Sequence, residues 1–263
     1  MNTELDFRLD NFEPADAASA HAEQQFWAGD LTVLAEHHTT PDGSHSFVVA
    51  HDGSATWGVP GEPQIRAIKV TRDLHQNTFT FESTRHCTVS LAQNWLIERG
   101  CPPEQITRVG DDFMKPADAL TTRVEQQLRT SGTRYEVLDS HSSDYDPCET
   151  WTLTRDSRAV EEPIRVFLEE GDHQTHTYTM REGAFFDEAS ARQWLDARDV
   201  PLPLPLPLPL PLPPEYRGEA GALRTRAALA RSADTSTIPK TSPGDHGTPT
   251  TSAVQRPSPR RSM

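Results

Sequence analysis

The fold of this chain is decided by the stretch AQNWLIERGCP, residues 92–102, which recurs ninety-nine positions later as ARQWLDARDVP, residues 191–201. Both copies hold Ala, Trp, Leu, Arg and Pro at the same places. A self-match at a fixed spacing indicates one structural unit used twice. In each copy the Ala, Trp and Leu fall at i, i+3 and i+4, so a helix would bury all three on one side. Trp95 and Trp194 are therefore predicted to be core residues.

A second match lies upstream, where PADAASAHAEQQ at residues 14–25 returns as PADALTTRVEQQ at residues 116–127. Seven of these twelve positions are identical. Pro14 suits the first turn of a helix, where no amide donor is needed. Apolar residues then recur at i, i+4 and i+8, and each stripe is expected to lie against a sheet. The stripes are Ala18, Ala22 and Phe26, and Leu120, Val124 and Leu128.

Between the two helices of each copy lie four strand candidates, at about 31–37, 45–51, 64–71 and 77–83, and at 134–139, 149–154, 163–169 and 175–181. The stretch PDGS at residues 41–44 predicts a hairpin turn. In the second copy Ile164, Val166 and Leu168 alternate with other residues, which predicts a sheet with one apolar and one polar face. Thr88 and Asp187, at matching positions, are predicted to cap the closing helices.

These patterns predict an α+β protein, a tandem duplication of an α-β-β-β-β-α module with antiparallel sheets. The first module spans residues 1–101 and the second, its internal repeat, spans 104–200. We expect the modules to pack as a pseudo-symmetric pair, through sheet edges or through helices, with a cleft where they meet.

Two different segments follow the second module. Pro and Leu alternate through residues 201–214, which predicts a stiff polyproline II linker. Residues 215–263 are rich in Ser, Thr, Pro and Arg, which predicts a disordered basic tail.

Composition excludes several classes of function. Residues 1–200 carry 17 basic and 35 acidic side chains, whereas the remainder carries 8 and 4. A net charge of about −18 on the folded part opposes binding to nucleic acid or to anionic membranes. With no charged and apolar leader at Met1 and no apolar run near twenty residues, a cytoplasmic location without membrane contact is expected. The three cysteines lie in no CxxC spacing, so neither a disulfide framework nor a zinc knuckle is expected.

The polar residues shared by the copies are the candidate site residues. A His and an Asp near a strand end can form a proton-transfer pair, and an Arg can hold an anionic substrate. The catalytic candidates are His37, His141, Asp42 and Asp146, and the binding candidates are Arg66 and Arg165; Asp52 and Asp156 also match. The favoured interpretation is structural: the aspartates cap turns, and the other residues end strands or lie on an exposed sheet face.

Histidines are concentrated in the first copy, so a zinc or nickel site from His37, His45 and His51 is conceivable if neighbouring strands bring them together. Most of these histidines are not repeated in the second copy, which favours scattered side chains, and no metal or other cofactor is expected.

The chain has no phosphate-binding loop, dinucleotide fingerprint, nucleophile elbow or zinc-protease motif. We therefore expect a non-enzymatic binding or protein-interaction protein, whose partner is an unknown protein or small ligand held in the cleft or on the polar sheet faces. The first alternative is a small hydrolase or lyase with a His/Asp pair and an Arg anion anchor. A weaker alternative is an acidic nucleic-acid mimic that binds a basic partner.

Overall fold

Two five-stranded sheets with helices on their faces form the computed structural model, which describes residues 5–28, 30–111, 113–145 and 147–205. This is an α+β architecture. The first sheet contains β1 (Glu13–Pro14), β2 (Leu31–His38), β3 (His45–Asp52), β4 (Ile65–Asp73) and β5 (Thr78–His86). The second contains β6 (Lys115–Pro116), β7 (Tyr135–Ser143), β8 (Glu149–Asp156), β9 (Ile164–Asp172) and β10 (Thr177–Phe185). The helices are α1 (Ala17–Ala28), α2 (Ala55–Gly58), α3 (Val89–Ile97), α4 (Pro103–Ile106), α5 (Ala119–Arg129) and α6 (Glu188–Ala197).

The two sheets have the same strand order. The first runs β1-β5-β4-β3-β2 and the second β6-β10-β9-β8-β7. A bulge interrupts the first hairpin at Leu34 and the corresponding hairpin at Leu138, so even this irregularity lies at a matching place. Below, residues 5–101 are called the first half, residues 102–114 the connection, and residues 115–205 the second half.

Each sheet has one strand more than the sequence predicts. The additional strands, β1 and β6, are two residues long and pair in parallel with β5 and β10. A two-residue strand shows no periodicity, and its proline has no amide to donate, so it lies at the sheet edge. Each short strand fixes the chain to the edge of its sheet directly before the opening helix.

Helix packing bears out most of the predicted stripes. Val124 and Leu128 of α5 are buried in one cluster with Phe167 of β9. In α1, however, Ala18 is exposed, and Ser19 is buried in its place beside Ala22 and Phe26. Ser19 Oγ accepts a hydrogen bond from the Phe81 amide at 3.2 Å, so its burial serves to fix the helix on β5.

The predicted caps and core tryptophans are confirmed. Thr88 accepts a hydrogen bond from the Leu91 amide at 3.3 Å, and Asp187 accepts one from the Ser190 amide at 2.8 Å. Trp194 is buried, whereas Trp95 is half-buried and packs against the core of the first half.

The prediction of one polar face per sheet is wrong. Val166 and Phe167 are neighbours in β9 that point to opposite faces, and both are fully buried. Val166 packs under α6, whereas Phe167 packs under α5. In the first half, Val49 belongs to the cluster with α3 residues, and Val48 to the cluster with Phe26 of α1. Each sheet therefore has a helix on both faces, which requires apolar side chains on both.

The halves meet through helices that are not equivalent. The closing helix of the first half, α3, packs on the opening helix of the second, α5. Leu91 of α3 joins the Val124 and Leu128 cluster, and Asn94 exchanges two hydrogen bonds with the backbone of Gly132, at 3.0 and 2.9 Å. The contact is thus head to tail instead of the expected pseudo-symmetric pairing. The whole contact zone between the two halves, of which the α3–α5 contact is one part, is called the seam.

The start of the Pro-Leu stretch packs on the second half. Leu202 is 4% exposed within the cluster of Trp194 and Leu195, and the Pro203 carbonyl accepts a hydrogen bond from the Ala184 amide at 2.9 Å. The rest of the predicted linker, residues 206–214, and the predicted tail, 215–263, lie outside the described residues. Among the described helices, none combines the length and apolarity needed to span a bilayer.

Candidate functional site

The two histidines that match between the copies each stack on an aromatic ring, and these two rings also occupy matching positions. His37 lies 6.2 Å from the Phe47 ring and His141 lies 5.8 Å from the Trp151 ring, both nearly parallel to their partners. Each His is therefore on the sheet face that the closing helix covers. His141 also lines a groove of about 370 Å³ with Glu149 and Arg198, but this Arg and this carboxylate are buried together in an ion pair.

The shared arginines lie on the opposite faces, beside the shared aspartates. Arg66 Nε is 3.4 Å from an Asp52 carboxylate oxygen, and Arg165 Nε is 3.5 Å from Asp156. Burial alone would raise the pKa of Asp156, but hydrogen bonds from Arg134 and the Arg158 amide, together with the charges of Arg134 and Arg165, outweigh it and hold that pKa below its usual range.

Arg165 lines a cleft of about 560 Å³ that also contains Arg134, Asp156 and Glu182. The described lining of this cleft includes no histidine. The histidines and arginines of the predicted proton-transfer site are thus separated by the sheet.

The remaining candidates are placed as follows. Asp42 shapes the predicted hairpin turn, where it accepts a hydrogen bond from the Ser44 amide at 3.1 Å and Gly43 has a positive φ of 64°. Asp146 lies outside the described residues. His45 and His51 stand at opposite ends of β3, about 20 Å apart at the rise of a strand. Within the described ranges, no group of three or more His, Cys, Asp or Glu is placed to hold a metal ion.

The strongest candidate site is a cavity of about 300 Å³ at the seam, here called the seam cavity. Residues of both halves and of the connection between them line it. Its apolar wall is formed by Ile65, Val89, Phe113 and Met114. Its polar lining includes His51, Gln64, Asp144, Glu149, Glu169 and His173. The volume falls at the lower end of the range for small-molecule sites.

Contacts between loops hold this cavity together. Gln64 Nε2 of the first half donates a hydrogen bond to Asp144 Oδ2 of the second at 2.5 Å, and the Ser142 amide donates to the Gly61 carbonyl at 3.1 Å. Gly61 has a φ of 88°, and a Cβ there would lie 2.4 Å from His141 Nδ1, so only glycine permits this approach. Trp57 of α2, between β3 and β4, and Tyr145, between β7 and β8, lie in the same two connections and are 77% and 82% exposed.

Glu169 of β9 is the unusual group in the seam cavity. Burial, together with the nearby charge of Glu125, raises the pKa of its carboxyl from 4.5 to about 8. No hydrogen bond to this carboxyl is found within the described chain. The neighbouring phenol of Tyr178 donates its hydrogen bond to Glu125 instead. With that pKa Glu169 is largely a neutral carboxylic acid at pH 7, and its side chain is half-buried where it lines the cavity.

The thiols that line the seam cavity are those of Cys87 and Cys148. Burial raises the pKa of the Cys87 thiol to about 11, so it is neutral at physiological pH and a poor nucleophile. Glu169 can contribute hydrogen bonding and charge pairing to this cavity.

Sequence reasoning missed Glu169, although a signal was present. When Ile65 is aligned with Ile164, Glu169 occupies the position that Val70 occupies in the first copy. The structure gives the pair the same register, because Val70 pairs with Phe81 and Glu169 with Met180, its aligned counterpart. A carboxyl at a position that is apolar in the matching half indicates a special environment.

No protein-family model, curated protein or solved structure matches this chain.

Proposed function

We propose that this protein is a non-enzymatic binding protein that holds a small ligand in the seam cavity. The observation that carries the proposal is the half-buried carboxyl of Glu169, which lines a cavity formed by both halves and accepts no hydrogen bond from the described chain. A ligand in the cavity can pair with this carboxyl directly.

The lining of the seam cavity favours binding over catalysis. The hydrolase or lyase alternative needs a His, a carboxylate and Arg66 or Arg165 in one place. His37 and Arg66 lie on opposite faces of the first sheet, since they pair with Phe47 and Ala50 of β3, which belong to different core clusters. The thiol of Cys87 is neutral at physiological pH, which weighs against nucleophilic catalysis.

The other expected kinds of partner receive less support. A nucleic-acid mimic would display its carboxylates in exposed rows, whereas Asp52 and Asp156 are buried beside arginines. A protein partner stays a prediction from the sequence. The exposed side chains of Trp57 and Tyr145 are the surface that such a partner would contact.

Methyl NMR of the full chain, titrated with 2-phenylethanol, tests the proposal. We expect saturable shifts of the Met114, Ile65 and Val89 methyl signals, with a Kd on the order of 1 mM or tighter, typical of a ligand this small. Val89→Trp, which introduces an indole at the cavity wall, should abolish the shifts at Met114 and Ile65.

The matched control is Val137→Trp, the same change at an exposed position of β7. It should leave the titration unchanged. Shifts that do not saturate, or that persist in Val89→Trp, would contradict the proposal.

A further inference from the structure

We propose that the ligand of the seam cavity is a small organic cation, an ammonium group on a compact apolar body, with Glu169 as its counter-ion. This inference rests on the proposed function and adds the chemical class of the ligand. It depends on three features of the cavity: the charge of its lining, the position of Glu169 and the apolar wall.

The first feature is the sign of the lining charges. Three carboxyl groups line the cavity, those of Asp144, Glu149 and Glu169, and no Lys or Arg is among its described lining residues. Glu149 is already paired with Arg198, and Asp144 accepts the hydrogen bond from Gln64. Residues 1–200 carry 17 basic and 35 acidic side chains, so the surrounding field has the same sign. An anionic ligand would be repelled, whereas a cation would be attracted.

The second feature is the position of Glu169 in the sheet. At the same register position Val70 is fully buried in an apolar cluster, so the fold itself needs no carboxyl there. A valine would also suffice for a purely apolar ligand. A half-buried carboxyl that lines a cavity and accepts no hydrogen bond from the described chain can serve as the counter-ion of a ligand, and a cation pairs with it better than any neutral group.

The third feature is the apolar wall. Ile65, Val89, Phe113 and Met114 leave space for a hydrocarbon body the size of one aromatic ring with a short chain. Arylalkylamines meet both requirements, because the ring can contact this wall while the ammonium group reaches a carboxyl.

Binding of an ammonium ion to neutral Glu169 releases one proton from the carboxyl to solvent. Affinity should therefore rise with pH, about tenfold per unit below the carboxyl pKa of about 8. The other ionisable groups near this carboxyl are Glu125 and Arg129 of α5, Tyr178 of β10 and Cys87. His51 and His173 also line the cavity, and their protonation would oppose a cation.

The experiment is calorimetric titration of the full chain at pH 7 with three ligands of similar shape: 2-phenylethylamine, 2-phenylethanol and phenylacetate. We expect the amine to bind at least tenfold more tightly than the alcohol, and phenylacetate to show no binding. Titrations in phosphate and in Tris should report the release of close to one proton per amine and none per alcohol, a measurement that requires no variant.

Glu169→Gln keeps the shape and the histidines but cannot become an anion. It should lower the affinity for the amine at least tenfold and leave the alcohol within twofold. Glu136→Gln, the same change in an exposed ion pair with Arg155, is the control and should leave all affinities within twofold.

The outcomes separate the two proposals. If the alcohol binds as tightly as the amine, or if the amine preference survives in Glu169→Gln, the inference is overturned and the proposed function stands. If none of the three ligands binds, the proposed function is overturned and the inference with it.

Discussion

The two halves differ most at one place on their matching sheets. Around Val70 the first half is tightly packed, with Phe79 and Phe7 in one apolar cluster. Around Glu169, the same position of the second half, there is the seam cavity. The strands, bulges and short edge strands correspond, so the difference does not come from the sheets.

The difference comes from the segment that precedes each short edge strand. In the first half this segment contributes Phe7, whose ring lies 5.0 Å from that of Phe81. Arg72 holds the segment in place by donating hydrogen bonds to the carbonyls of Phe7 and Arg8. In the second half Gly171 stands where Arg72 stands in the first, and Phe113 and Met114 of the connection border the space without filling it.

This comparison teaches that one scaffold can yield a solid core or a cavity according to the chain that covers it. The sheet and its two helices supply the walls in both halves. Whether the space between them is filled depends on a few side chains outside the strands, so a binding site can arise without a change of fold.

The largest expected effect is on the packed side. Phe7→Ala should destabilise the protein by about 3–5 kcal/mol, because it opens a cavity in a tightly packed cluster. Met114→Ala at the seam cavity should cost less than about 1.5 kcal/mol, because this side chain is half-buried on a cavity wall and has fewer packing contacts to lose. Urea unfolding of both variants measures the difference, and equal losses would break the comparison.

A second effect, graded with pH, is expected at Glu169. Glu169 keeps its proton up to a pKa of about 8 in the folded protein, but ionises near 4.5 when unfolded. Folding therefore takes up a proton between these pH values. The contribution of Glu169 to the free energy of unfolding is fully present below pH 4.5, falls as pH rises, and is lost above pH 8. Glu169→Gln removes this loss.

We accordingly expect Glu169→Gln to match the native chain near pH 4.5 and to exceed it increasingly up to pH 8, by up to about 1.4 kcal/mol per pH unit. Burial also raises the pKa of Glu125 and Glu182, so the difference between the two proteins, measured by urea unfolding at each pH, is the informative quantity. A difference in stability that is constant with pH would contradict the raised pKa of Glu169.

The smallest effects should be found where the halves agree. Ser19 Oγ and Thr121 Oγ1 each accept a hydrogen bond from the opposing strand, from the amides of Phe81 and Met180. Ser19→Ala should cost about 1 kcal/mol. Thr121→Val should cost up to about 2 kcal/mol, because Arg181 also loses a partner at 3.0 Å. Thermal unfolding measures both changes. If only one of the two variants is destabilised, the matching hydrogen bonds do not stabilise the two halves equally.

Much of the fold could be predicted from residue patterns. The tryptophan helices, the caps at Thr88 and Asp187 and the hairpin at Asp42 and Gly43 depend on interactions within a few residues, which local spacing reports. The two-residue strands were missed because they are too short for a period. The second apolar face was missed because Phe167 was interpreted as part of an alternating strand instead of a strand covered on both sides.

Much less of the candidate site could be predicted. Among the polar residues that match between the copies, Asp52 lies beside Arg66 and Asp156 beside Arg165 in the folded protein, whereas the histidines lie on the other faces of the sheets. Residues that differ between the copies were passed over, and Glu169 is one of them.

Taken alone, the order of residues specified two matching α+β halves, their helix ends and their core tryptophans, because these follow from short-range periodicity and hydrogen bonding. Only the folded chain decided that α3 meets α5, that Phe7 fills one half, and that the other half keeps a cavity beside Glu169. Those outcomes depend on contacts between residues far apart in the chain, such as Gln64 and Asp144, which no local pattern encodes.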